Sequence, residues 1–83
     1  MLVFSPVNFV TNFAQDVQAL NNLANALEDL GRPEEAIEAL SKALTIRPDY
    51  VDAMKNMGNV LQSQGKYDSA ICAYNEGLRL SPG

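Results

Sequence analysis

The chain repeats itself at a spacing of 34 residues. Laying Val17 to Asp49 over Val51 to Gly83 gives 11 identities in 33 aligned pairs. They are Val17/Val51, Ala19/Ala53, Asn22/Asn56, Asn25/Asn59, Leu27/Leu61, Gly31/Gly65, Ala36/Ala70, Ile37/Ile71, Ala39/Ala73, Leu44/Leu78 and Pro48/Pro82. A unit of this length cannot bury its own apolar face and must stack on a neighbour, which builds extended ridged surfaces rather than a closed pocket. Scaffolding or peptide binding is therefore the leading expectation before any chemistry is sought.

The apolar spacing within each unit is helical. Leu20, Leu23, Ala24, Leu27 and Leu30 follow the three-and-four rhythm of one helix face. Gly31 then stands where a left-handed terminus costs glycine little, and Pro33 where a new helix tolerates a missing N–H. A second helix carries Ala36, Ile37, Leu40, Ala43 and Leu44, with Glu34 and Glu35 at its positive end and Arg47 at its negative end. Pro48 stops it, and Asp49 is expected to cap the next helix. Ala53, Met54, Met57, Gly58 and Leu61 restart the pattern, and Ala70, Ile71, Tyr74, Gly77 and Leu78 complete it after Gly65. No stretch alternates with period two, so no strands are expected. Small residues recur at equivalent offsets (Ala24 and Gly58, Ala36 and Ala70, Ala43 and Gly77), where helix axes must approach to about 8 to 10 Å.

These residues resemble the tetratricopeptide repeat (TPR), a 34-residue helix-turn-helix unit. The likeness covers Val17 to Gly83 and rests on the series Leu23-Ala24, Leu27, Gly31, Ala36, Leu40, Ala43, Pro48. That series recurs as Met57-Gly58, Leu61, Gly65, Ala70, Tyr74, Gly77, Pro82. Leu20 and Met54 stand where the motif often has tryptophan. The resemblance implies an all-α fold in which two units, residues 17–50 and 51–83, stack as a short α-solenoid. Residues 1–16 are expected to form an extra or lengthened N-terminal helix. Pro6 follows Ser5 as a helix start, and Phe9, Phe13, Val17 and Leu20 continue an apolar stripe into the first unit.

The wording NNLANALEDLGRPEEAIEAL is most similar to the TPR arrays of O-linked GlcNAc transferases and related bacterial proteins. In that subgroup an asparagine on each A helix lines the concave groove and contacts the backbone of an extended peptide, and Asn22 and Asn56 match that offset. An amide offers both donor and acceptor to a peptide group whatever the peptide's sequence. Simple solvation of both asparagines is the alternative. By helical register, Gln18, Asn21, Asn22 and Asn25 share one face of the first A helix with Glu28 and Asp29. Asp52, Lys55, Asn56 and Asn59 share the corresponding face of the second with Gln62 and Ser63. Lys55 with Asn59 also resembles part of the carboxylate clamp of chaperone-binding TPR domains, which needs further basic residues from a following repeat.

Composition narrows the partners. Ten acidic against 6 basic residues give a formal charge of −4, which opposes binding to a phosphate backbone. A neutral or basic protein or peptide is expected instead, and no nucleic acid. Cys72 is the single cysteine, so no disulfide closes within the chain and a reducing, cytoplasmic setting is expected. The first fifteen residues hold all three phenylalanines and no charged side chain. They have neither the basic flank of an export signal nor the roughly 18 apolar residues of a membrane span, so no membrane partner is expected.

Nothing points to catalysis or to a cofactor. The chain has no histidine, its glycines are isolated turn residues rather than a phosphate-binding loop, and Cys72 has no base near it in sequence. Stacked repeats need about three units or capping helices at their ends. Phe9, Phe13, Ile71, Tyr74 and Leu78 are therefore expected at end interfaces, with flanking repeats or self-association covering them. Three functions remain open: an interaction module with a peptide groove, a non-catalytic TPR fragment of a larger enzyme such as a glycosyltransferase, and a self-assembling structural repeat.

Overall fold

A computed structural model describes residues 16–81 as four helices and, among those residues, no strand. They are α1 (Val17–Asp29), α2 (Pro33–Ile46), α3 (Val51–Ser63) and α4 (Tyr67–Leu80). Each odd helix packs antiparallel on the even helix that follows it, forming two hairpins, and α3 lies against both helices of the first hairpin. The expected N-terminal helix, with Phe9 and Phe13, lies outside the described residues, as do Pro82 and Gly83.

The helix ends follow from local chemistry. Asp16 caps α1, its carboxylate accepting from the N–H groups of Gln18 at 3.1 Å and Ala19 at 3.2 Å, an arrangement worth about 1 kcal/mol. Gly31 and Gly65 adopt φ of +78° and +79°. Both close Schellman motifs: Gly31 N–H donates to Glu28 O and Arg32 N–H to Leu27 O, while Gly65 and Lys66 repeat this on Gln62 and Leu61. Pro33 occupies the first turn of α2. Arg47, before Pro48, is extended and ends α2, because proline disfavours a helical residue ahead of it.

One helix start differs from expectation. Tyr50, not Asp49, precedes α3, and no side chain caps it. Asp49 stays in the turn, 3.7 Å from Arg47, whose guanidinium also lies 5.2 Å from the centre of the Tyr50 ring. The Tyr50 N–H donates to Arg47 O at 3.1 Å, which carries the turn one residue further before the helix begins.

The core is narrow and built from small residues. Ala24, Ala36, Ala39, Ala43 and Ala53 are buried in one cluster with Leu20, Leu40 and Val60, so the helix axes approach closely where the repeat places alanine. Leu40 and Val60 are the largest fully buried side chains. They sit on α2 and α3, the two helices that meet between the units, so the core runs across the seam. The second hairpin solves the same packing problem with different sizes. Gly58 replaces Ala24, and the ring of Tyr74 replaces Leu40 and lies directly over the missing Cβ.

Candidate functional site

The curvature of the pair is set by which helices touch. α1 contacts α3, whereas α2 and α4 make no contact with each other. The odd helices therefore line the inner side of the bend and the even helices the outer side. The polar residues singled out on the odd helices fall into two groups on this inner side.

Gln18, Asn22 and Asn25 on α1 are exposed, as are Asp52, Lys55 and Asn59 on α3. Asn21 is not: only 7% of its surface is accessible, and its Oδ1 accepts from Asn56 Nδ2 at 2.7 Å. The contact between odd helices is thus a hydrogen-bonded amide pair. It supplies the partner that a buried polar group requires. Asn22 and Asn56, one repeat apart in sequence, are not equivalent in space: Asn22 is exposed, while Asn56 is half-buried and engaged to Asn21. Further along the same seam Ser63 Oγ donates to Glu28 at 3.4 Å, and Gln64 donates to Glu34 of α2 at 3.1 Å.

Among the described residues no further helix covers the face beyond α3. Lys55, Asn59, Tyr74 and Leu78 border a cleft of about 400 Å³. The Tyr74 hydroxyl donates to Asn59 and also reaches Gln62 Oε1 at 3.2 Å, so Asn59 is held toward this end. Ile71 and Leu78 are 54% and 57% exposed, whereas Tyr74 is half-buried because its ring covers Gly58. Sequence reasoning did not anticipate the Asn21–Asn56 pair or the Gly58–Tyr74 packing. The second was legible as a size exchange against Ala24 and Leu40. The first depends on how two helices cross, which no single-helix pattern carries.

Electrostatics on these surfaces are those of solvated charges. Arg79 hydrogen-bonds Glu76 and holds its carboxyl below the usual carboxylate range, while Glu76 raises Arg79 in turn. This pair is fully exposed on α4, where solvent screening leaves it little influence on stability. Among the described residues no cluster of three or more acidic or cysteine side chains could hold a metal ion. Likewise no helix there is long and apolar enough to cross a membrane. Cys72 is exposed on α4.

Two stacked helical hairpins with the first helix of each on the inner side define an α-solenoid of helix-turn-helix repeats. The tetratricopeptide repeat family model matches residues 15–82, and the chain belongs to that family. Among solved structures the chain is similar to MamA, known from a crystal structure, with a TM-score of 0.83 and 31% identity over 89% of this chain. It spans 43% of the MamA chain, less than half. A comparison with curated proteins finds no match. Tetratricopeptide repeats are protein-interaction scaffolds, so the partner class is a protein or peptide.

Proposed function

We propose that this protein is an interaction module that holds an extended peptide across the inner face formed by α1 and α3. The observation that carries this reading is the row of exposed polar side chains on the inner side: Gln18, Asn22 and Asn25 beside Asp52 and Asn59. Primary amides there can pair with a peptide backbone without reading its side chains. Glu28, Asp29 and Asp52 give the face a mildly acidic character that favours a neutral or basic segment. A reducing, cytoplasmic setting suits a chain whose single cysteine is exposed and unpaired by any second cysteine.

The Asn21–Asn56 bond decides how the reading is tested. Asn56→Ala strips Asn21 of its partner and is expected to cost about 1 to 3 kcal/mol of stability in addition to any effect on binding. Asn22→Ala removes an exposed amide that makes no hydrogen bond to the other described residues. On an array of neutral and basic peptides, Asn22→Ala is expected to weaken capture about three- to tenfold, the net worth of one hydrogen bond, with the melting temperature of the parent. Capture by Asn22→Ala equal to that of the parent would remove Asn22 from the groove.

A further inference from the structure

The seam between the two hairpins is itself a template for a contact the chain can make with another molecule. On one side of the seam stand Ile37, Leu40 and Leu44 of α2, and on the other Ala53, Met57 and Val60 of α3, all buried or half-buried in one cluster. Thirty-four residues on from the first set are Ile71, Tyr74 and Leu78, apolar at every position and exposed or half-exposed on α4. Thirty-four residues back from the second set are Ala19, Leu23 and Ala26 on α1, also apolar throughout, with Leu23 49% exposed. The two outer faces are therefore the two halves of an interface that the chain already forms internally.

The polar contacts of the seam translate as well. The Asn21–Asn56 pair becomes Lys55 against Asn22, an ammonium donor facing an amide oxygen. The Glu28–Ser63 pair becomes Gln62 against Asp29, an amide donor facing a carboxylate. Both pairs remain complementary. The Glu34–Gln64 contact alone is lost, because Asp68 would face Leu30.

We infer that a second copy of this chain docks its α1 face on the α4 face of the first, head to tail, in the geometry that α3 uses on α2. Lys55 reaches Asn22 of the incoming copy, and the face of Ile71, Tyr74 and Leu78 receives its Leu23. Such a contact joins two different surfaces and leaves one of each free, so it propagates instead of closing at a dimer. It goes beyond the groove reading: Asn22 is common to both, whereas Leu23 and Leu78 belong to this contact alone, so their substitutions test it separately.

Sedimentation velocity on the 83-residue chain is expected to show a mean mass that rises with concentration and passes the dimer. Leu78→Glu and Leu23→Glu, both at exposed positions, are each expected to be monomeric with unchanged helicity. Mixed in equal amounts they should form a heterodimer that grows no further, since each blocks a different face. Lys55→Glu should weaken assembly, and Asn22→Lys added to it should restore it. A parent chain that stays monomeric up to about 1 mM overturns the inference. So does a mixture that fails to pair. A closed dimer that survives both single substitutions also overturns it.

Discussion

Replacing Leu40 by alanine is expected to lower the stability of the chain by about 2 to 5 kcal/mol. Leu40 has no accessible surface and lies in the one cluster that joins α1, α2 and α3. Truncation forfeits the transfer free energy of the removed carbons and leaves a cavity between helices whose close approach is fixed by alanines, so little can collapse into it. For a domain of this size the loss corresponds to a fall in melting temperature of roughly 10 to 30 °C. Because Leu40 belongs to the seam as well as to its own hairpin, the second hairpin should lose protection together with the first. Leu78→Ala provides the contrast. Leu78 stands one repeat after Leu44 and is 57% exposed, and its truncation at dilute concentration should cost less than about 1 kcal/mol. Thermal melts followed by circular dichroism check both values. A Leu40→Ala melt within a few degrees of the parent would mean that the seam is not a packed core.

Gly58→Ala is expected to destabilise the chain, although alanine is the better helix former by about 1 kcal/mol. An added Cβ would sit 2.7 Å from Cε1 and 2.8 Å from Cζ of Tyr74, closer than packed carbons tolerate. The ring must swing away, which breaks its hydroxyl contacts to Asn59 and Gln62. Overpacking of this kind costs about 1 to 3 kcal/mol. Tyr74→Leu in the same molecule should recover most of the loss, since it recreates the alanine and leucine pair that the first hairpin carries as Ala24 and Leu40. A double-mutant cycle in urea measures the coupling. Additive effects of the two substitutions would show that the ring does not rest on Gly58. Gly77 behaves differently: the nearest atoms to a Cβ there are Met54 Cβ at 3.7 Å and Val51 Cγ1 at 3.9 Å, which is ordinary contact.

The architecture was legible because each of its determinants acts locally. Gly31 and Gly65 end their helices through a conformation that glycine alone reaches cheaply, and Pro33 and Pro48 set a start and a stop through their rings. Alanine at Ala36 and Ala43 announces close helix approach, and both are fully buried. The candidate site was legible only in part. A 100° helical register places Asn21 near Asn22 and Asn25, but whether a residue on that arc faces solvent or a neighbour depends on the crossing of α1 with α3. Asn21 turned out to lie inside that contact. Lys55 holds the same register one repeat later and is exposed, because among the described residues no helix follows on that side. The position of Tyr74 in the repeat places it at an end, and its packing over Gly58 emerges only when the two hairpins are compared. Asp49 shows the converse limit. A good capping residue was outcompeted by the turn that Arg47, Pro48 and Tyr50 make around it.

Recognition on the inner face can be mapped residue by residue by an NMR titration of the Leu78→Glu variant, in which end-to-end stacking is blocked, with the tightest-binding peptide of the array. The side-chain amides of Gln18, Asn22 and Asn25 and the backbone amides of α1 and α3 should show the largest shift changes. Lys42 and Cys72, on the outer helices, should stay unmoved. Shifts centred on α2 and α4, with the amides of Asn22 and Asn25 unchanged, would contradict a peptide groove on the inner face.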